Sequence, residues 1–418
     1  MGSSIALELQ RAGRRVIVVD KGEAVGGGST SASSAVIRFT YSTSDGVIAS
    51  WEAMHLWADW ANHLGHTDGP ISRFHRIGML HLPEPGYDPS PVTGHFDRIG
   101  VPYELLGGAE LKRRFPAIDI GRFHPPRLAS DPHFFDPAHG IVEALYMPDA
   151  GFIDDPQLAA ANLMAAARRH GAQVRLRTPV AAVSSENGQV DGAVLADGSM
   201  IAAPIVVNAA GPWSSQLNAL AGVLDDMKIS TRALRQEVAS ASAPVGFGVA
   251  DGGSVLGDMD LGTYSRPQPG GSYLVGGVEA DCDPMNWTDD PDADSLTITP
   301  EMFETLAYRV ARRLPDLEVP LRPMGLAGHY DVTDDWVPIY DRTRLGGYYL
   351  AIGTSGNQFK NAPLVGVIMK DLIDACESGH DHDVDPVQVV CPRTGQTLNL
   401  ATFSRNRAPA STSGTVMG

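Results

Sequence analysis

Hydrophobic spacing at the start of the chain predicts a helix followed by a strand. Apolar residues recur at helical spacing from Gly2 to Ala12, and Gly13 is a residue type that commonly ends a helix. The β-branched run in residues 15–19 fits a buried parallel strand that ends at Asp20. A helix that is followed by a strand ending in an acidic residue is typical of a dinucleotide-binding unit. Because the first strand and first glycines of that unit are absent, we expect the true start to lie upstream.

The pattern changes twice further along the chain. An Ala-rich helix is predicted after the capping Asp155 and ends near Gly171, followed by short strands up to residue 208. Residues 230–320 show strands and turns typical of an antiparallel sheet. A strand and a helix joined by a polar loop, residues 346–373, then return to the α/β pattern.

Composition narrows the class of protein. The chain has 418 residues, 49 of them acidic and 32 basic, for a net charge of −17. This balance disfavours nucleic acid and anionic membrane surfaces as partners, because both require basic patches. Three scattered cysteines favour a reducing compartment. With no apolar run long enough to span a bilayer, we expect a cytoplasmic protein of about two domains.

A Gly- and Ser-rich segment, residues 24–34, follows directly after Asp20. Such a segment is either a linker or a loop that lets a cofactor lie against the backbone. Its position after a ribose-type acidic residue favours the cofactor loop. Arg38 follows an apolar stretch behind this loop, and its guanidinium is either a carboxylate anchor or a surface group in a salt bridge.

Two further small-residue turns follow predicted strands. Gly211 comes after the strand at residues 205–208, and the loop 353–360 connects a strand to a helix. Such turns suit an anion or a flat ring, and an ordinary strand-to-helix turn is the alternative. The histidines within residues 122–140 lack a metal-ligand spacing backed by carboxylates, so we expect no metal site.

Four segments in this order resemble the FAD-dependent amino-acid and amine oxidoreductases, which include D-amino-acid oxidase, glycine oxidase and sarcosine oxidase. The loop at 26–38 is similar to that of the sarcosine oxidase and dimethylglycine dehydrogenase branch. The four segments are residues 2–22, 149–174, 206–214 and the pair 336–343 and 347–366.

The resemblance implies an α/β fold in which a Rossmann-like FAD-binding domain lacks its first strand. An inserted α+β substrate domain is built on a mixed, largely antiparallel sheet. The composition after residue 403 predicts a disordered tail. The implied boundaries are 1–82, 145–225 and 321–403 for the FAD-binding domain, 83–144 and 226–320 for the substrate domain, and 404–418 for the tail.

The resemblance also assigns cofactor contacts. Asp20 would bind the adenosine ribose, Val180 would contact adenine through its backbone, and Gly211 would close over FAD. The remaining implied cofactor residues are Gly2, Lys21, Gly28, Ser29, Thr30, Ser33, Ser34, Gly353, Gly356, Asn357, Gln358, Phe359 and Lys360.

On the substrate side, the resemblance implies four residues with catalytic roles. Arg38 matches an arginine on the substrate side of the flavin, and Tyr264 and Tyr330 match residues that line the substrate cavity. Lys360 would lie near the isoalloxazine ring, where its charge would stabilise the reduced flavin and assist oxygen activation.

Several positions depart from the resembled family. Monomeric sarcosine oxidases attach FAD through a cysteine where this chain has Gly328 and His329, so we expect non-covalent FAD. A second family arginine, three residues before Arg38, is Ala35 here, and a family histidine falls near Val278. Sarcosine itself is therefore disfavoured as the substrate.

The expected activity is hydride transfer to flavin from a C–H bond beside nitrogen in a small amino acid or a secondary or N-methyl amine. Oxygen or another acceptor would reoxidise the flavin. One alternative is a dehydrogenase of the same fold that acts on a 2-hydroxy acid or polyol. The other is a truncated, inactive flavoprotein that serves in assembly or binding.

Overall fold

The computed structural model describes residues 1–65, 69–411 and 414–417. Within those ranges the chain forms nine α-helices and 22 β-strands. The helices are α1 (Gly2–Arg11), α2 (Ser44–Ala58), α3 (Trp60–Leu64), α4 (Ser90–Ile99), α5 (Gly108–Arg114), α6 (Pro156–Arg169), α7 (Ser214–Leu220), α8 (Pro300–Arg313) and α9 (Ala362–Glu377). The strands are β1 (Ile17–Val19), β2 (Val36–Ile37), β3 (Phe74–His75), β4 (Met79–Leu82), β5 (Glu104–Leu106), β6 (Ala144–Met147), β7 (Gly151–Ile153), β8 (Gln173–Arg175), β9 (Val180–Glu186), β10 (Gln189–Leu195), β11 (Met200–Ala202), β12 (Val206–Asn208), β13 (Thr231–Ser242), β14 (Val255–Asp258), β15 (Thr263–Pro267), β16 (Ser272–Gly277), β17 (Asn286–Thr288), β18 (Gly325–Thr333), β19 (Ile339–Arg342), β20 (Tyr348–Ile352), β21 (Gln388–Val390) and β22 (Thr397–Asn399).

Helix α1 packs between α6 and α9, as its predicted apolar face requires. Its contact with α9 is close because Gly366 faces it. A Cβ at Gly366 would come within 2.5 Å of the Ser4 backbone oxygen. Instead, the Gly366 N–H donates to Ser4 Oγ at 3.2 Å, and that hydroxyl donates to the Pro363 carbonyl.

Short parallel pairings form the α/β part of the molecule. Strand β1 pairs in parallel with β8, which confirms the parallel strand predicted within residues 15–19, and β12 also pairs in parallel with β20. The predicted burial of β1 is wrong for Ile17, whose side chain is 39% exposed. Among the described residues β1 pairs with β8 alone, so one edge of the strand stays open.

A nine-stranded mixed sheet dominates the rest of the fold. Its order is β17-β13-β16-β15-β14-β4-β6-β5, with β18 paired to β13, and most pairings are antiparallel. Helix α8 packs against it through an apolar face that includes Phe303 and Leu306. The predicted antiparallel region and its helix are thus confirmed. Because β4, β6 and β18 also join this sheet, the division into two domains stays a prediction.

Residues 404–411 and 414–417, which composition predicts as part of a disordered tail, make long-range contacts in this structure. Arg405 forms ion pairs with aspartates of three separate segments, and Arg407 pairs with Asp335. Val416 and Met417 are 6% and 8% exposed. Composition alone favours disorder, but these long-range ionic and apolar contacts hold the segment against the body. No helix in the described part of the chain has the length and apolarity that a membrane span requires.

Candidate active site

A deep cavity opens between the start of α1, the loop at residues 29–36, helix α6, strand β18 and the loop after β20. It encloses about 1320 Å³ of empty space, including its open mouth. The loop after β20 places Gly356 with a φ of +67°, and a Cβ there would lie 2.5 Å from the Tyr330 ring. Only glycine fits this approach.

Two buried cations line one end of the cavity. Arg38 and Lys360 are each 3% exposed. Arg38 donates to the Thr40 carbonyl, to Thr40 Oγ1 at 3.1 Å and to the Val416 carbonyl at 2.6 Å. Neither cation has a carboxylate partner within the part of the chain that the structure describes. Burial lowers the pKa of Lys360 well below its usual range, and the charge of Arg38 lowers that pKa further.

Tyr41 lies between these two cations. The Arg38 guanidinium carbon is 4.9 Å from the centre of the Tyr41 ring, and Lys360 Nζ is 5.0 Å from it. Lys360 Nζ also donates to the Tyr41 hydroxyl at 2.9 Å, and that hydroxyl donates to the Asn357 carbonyl. The electron-rich ring therefore attracts the Arg38 guanidinium, and the Tyr41 hydroxyl holds the Lys360 amine in place.

A second polar group faces the same cavity from the large sheet. The hydroxyls of Tyr264 and Ser34 are 3.1 Å apart, and Tyr330 lies beside Tyr264. Burial raises the pKa of both tyrosines above the usual range, and the neighbouring phenol adds to the rise at Tyr330. Both hydroxyls therefore keep their protons and act as hydrogen-bonding groups.

A family model described as "DAO: FAD dependent oxidoreductase" matches residues 1–372. The chain belongs to this family of FAD dependent oxidoreductases. The family predicted from the four segments is thereby confirmed, together with the α/β fold class and the FAD cofactor. This protein is an FAD-dependent oxidoreductase of the amino-acid and amine oxidase type.

Individual relatives agree with the family assignment. Glycine oxidase of Geobacillus kaustophilus is 25% identical to this oxidoreductase over 389 residues, which cover 91% of this chain and 92% of that one. Human mitochondrial sarcosine dehydrogenase is 27% identical over 263 residues, covering 61% of this chain and 25% of that one. The crystal structure of L-proline dehydrogenase from P. horikoshii has the same fold, with a TM-score of 0.74, 24% identity and coverage of 97% and 94%.

The cavity of this oxidoreductase has the chemistry that FAD requires. Met1 and Ser3 line its wall at the N-terminus of the ten-residue α1, where free N–H groups suit a pyrophosphate. Loop hydroxyls, among them Ser29 and Thr30, add further donors. Small side chains on α6, such as Ala159, leave space for a flat ring. The residues present therefore fit the cofactor.

The structure gathers one set of the predicted site residues and separates another. Those that line the cavity are Ser29, Thr30, Ser33, Ser34, Arg38, Tyr264, Tyr330, Gly356, Asn357, Gln358, Phe359 and Lys360. Those outside its lining are Gly2, Asp20, Lys21, Gly28, Val180, Gly211 and Gly353. Asp20 is exposed and accepts the Gly22 N–H at 2.7 Å, and Lys21 Nζ lies 4.0 Å from the centre of the Trp213 ring. The cofactor contacts assigned to this second set stay predictions.

Asp331 joins two of the predicted glycine turns behind the cavity. Its Oδ2 accepts the Gly353 N–H at 2.6 Å and lies 3.0 Å from the Ser214 hydroxyl oxygen, which is also within hydrogen-bond distance of the Gly211 carbonyl. Burial raises the pKa of Asp331 to about 7. This carboxyl therefore fixes the ends of β12 and β20 relative to each other.

Sequence reasoning missed several residues of the site. The buried Trp57 donates its Nε1–H to the Lys360 carbonyl at 2.7 Å, and its ring stacks on Phe359. Tyr41 has no local motif to mark it. Val416 and Met417 line the cavity from a segment predicted to be disordered. For these residues only the three-dimensional contacts reveal the role.

Proposed function

We propose that this enzyme oxidises a C–N bond of a small amino acid, or of a secondary or N-methyl amine that bears a carboxylate. The buried Arg38 guanidinium carries the proposal, since it has no carboxylate partner among the described residues, and the basic side chain of Lys360 lies in the same part of the cavity. Burying unpaired charge is costly, and a substrate carboxylate would offset that cost. Glycine oxidase and sarcosine dehydrogenase, by their names, act on small amino acids, which supports the same class here.

The chain's own residues would bind and orient this substrate. Arg38 would hold the carboxylate through two parallel N–H donors, and Tyr41 would keep that guanidinium in place. The protonated hydroxyls of Tyr264 and Tyr330 would face the amine and fix the direction of its C–H bond. The chemistry that FAD supplies when bound is acceptance of a hydride from the carbon beside nitrogen. The imine product would then hydrolyse in water.

Several finer points belong to the same proposal. FAD would be held without a covalent bond, because Gly328 and His329 stand where the family's attachment cysteine is found. The His329 Nε2 atom lies 2.8 Å from Asp294, so its ring is already engaged. Oxygen as the electron acceptor and a cytoplasmic location stay predictions.

The direct test is anaerobic reduction of the bound flavin by a panel of matched compounds. The panel contains a primary amino acid, its N-methyl derivative, the corresponding 2-hydroxy acid and the amine that lacks the carboxylate. We expect an amino acid or N-methyl amino acid to bleach the flavin fastest. Bleaching by the 2-hydroxy acid alone would assign the alternative activity, and no bleaching by any compound would contradict the proposal.

A further inference from the structure

The end of the described chain enters the candidate active site. Residues 414–417 approach the large sheet, and the side chains of Val416 and Met417 are almost fully buried while lining the cavity. The Cε atom of Met417 lies over Gly257, where a Cβ would come within 2.8 Å of it. The absence of a side chain at Gly257 therefore makes room for this methionine.

Both backbone polar groups of Val416 form hydrogen bonds with side chains. Its carbonyl accepts a hydrogen bond from Arg38 Nη2 at 2.6 Å, and its N–H donates to Glu279 Oε2 at 2.7 Å. Glu279 is itself held by Gln236, whose Nε2 donates to Oε1 at 3.1 Å. The Val416 carbonyl therefore accepts an N–H of Arg38 that a carboxylate would need for a bidentate hydrogen bond.

The rest of the tail keeps this segment close to the site. The Ala410 N–H donates to Asp335 Oδ2 at 3.1 Å, and Arg407 pairs with the same carboxylate. Residues 414–417 therefore stay tethered a few residues away when they leave the cavity. A tethered segment rebinds as an intramolecular ligand with a high effective concentration, so even weak contacts compete with free ligand.

We propose that residues 415–417 are an internal competitor of the substrate, which occupy the carboxylate subsite at Arg38 and must leave before a carboxylate ligand binds. This inference rests on the proposed function for the identity of the competing group. It concerns the chain's own tail, and it gives the enzyme a built-in autoinhibitory contact.

The test uses the flavin-loaded enzyme in four forms: the full chain, a chain that ends at residue 413, Val416→Pro and Val416→Ala. Proline removes the N–H that donates to Glu279, whereas alanine keeps both backbone groups and shortens only the side chain, so it is the milder change. One readout is the rate at which phenylglyoxal modifies Arg38 in the folded enzyme. The extent of modification is measured after digestion, on the peptide that contains Arg38. The other is the affinity for acetate, measured by its effect on the flavin spectrum.

We expect the shortened chain to bind acetate about tenfold more tightly, which is the change that follows if the tail occupies the subsite in about nine molecules of ten. Arg38 should react at least tenfold faster there, Val416→Pro should change both readouts in the same direction, and Val416→Ala, which keeps both backbone hydrogen bonds but loses buried side-chain contacts, should change them less than Val416→Pro. Equal or weaker acetate binding with an equally unreactive Arg38 in the shortened chain would overturn the proposal. If acetate binds no form while Arg38 reacts only without the tail, occupation by the tail stands and the proposed carboxylate anchor is wrong.

Discussion

At the scale of single residues, the site is defined by a buried arginine and a buried lysine that share one aromatic ring. Tyr41 lies against both basic side chains, and burial together with the charge of Arg38 lowers the pKa of Lys360. An anion placed against Arg38 and Lys360 would relieve this repulsion and raise the pKa of the lysine again. If the substrate carboxylate binds there as proposed, its binding is coupled to the protonation of Lys360.

Replacement of Lys360 by methionine tests this charge state through stability. Between the lowered pKa of the folded enzyme and the ordinary value of about 10.4, the unfolded chain carries a proton that the folded chain lacks. The stability of the wild type should therefore rise with pH in this window by up to about 1.4 kcal/mol per unit relative to Lys360→Met. Urea unfolding of both proteins from pH 7 to pH 9 measures the difference, and parallel pH profiles would contradict the lowered pKa.

At the scale of elements, close backbone contacts and buried polar links position the loops around the cavity. Gly366 lets α9 approach α1, and Asp331 ties the ends of two parallel strands. Both features lie behind the cavity wall. Changes there should alter stability before they alter substrate contacts.

Substitution of Gly366 by alanine should destabilise the helix pair. The added Cβ would meet the Ser4 backbone oxygen at 2.5 Å, so α1 and α9 must move apart. We expect a loss of about 1–3 kcal/mol of unfolding free energy, the usual cost of overpacking. Gly107→Ala is the control, because its Cβ would meet no atom within 4 Å. Equal stability of the two variants in urea would show that the helices are not in close contact.

Asp331→Asn should flatten the acid side of the stability profile. Below about pH 4 both states of the wild type are protonated, and between pH 4 and 7 only the unfolded state ionises, because the folded pKa is about 7. Stability therefore falls as the pH rises through this window, by up to about 4 kcal/mol, and the loss is complete above pH 7. Asparagine still accepts the Gly353 N–H but does not titrate. The same pH dependence in both proteins would show that Asp331 ionises normally.

At the scale of the whole molecule, local periodicity accounts for what could be predicted. The apolar face of α1, the alternation in residues 230–320 and the strand–loop–helix at 346–373 each stand in contiguous sequence, and each was predicted correctly. The return of Val416 to Arg38 and the position of Tyr41 against Lys360 join residues that are more than 300 positions apart. No local spacing encodes such contacts, so they cannot be predicted from composition and periodicity.

The assignment of site residues follows the same division. Arg38, Tyr264, Tyr330 and Lys360 were identified from family resemblance, and the fold brings all four to one cavity. The local sequence of Arg38 allowed either a carboxylate anchor or a surface salt bridge. Because Arg38 is buried, it is not a surface group. The charge environment of Arg38 and Lys360, however, depends on the fact that no described carboxylate pairs with them. Only the three-dimensional structure reveals this.

The most direct test of the account compares flavin reduction in the wild type and in Arg38→Gln. The substrate pair is an N-methyl amino acid and the corresponding amine without a carboxylate, each mixed with the flavin-loaded enzyme without oxygen. We predict that the substitution lowers the reduction rate at limiting amino acid at least 100-fold, or about 3 kcal/mol, while the rate with the amine changes little. Arg344→Gln, at an exposed arginine, is the control. Equal losses with both compounds, or no loss with either, would contradict the assignment of Arg38 as the carboxylate anchor.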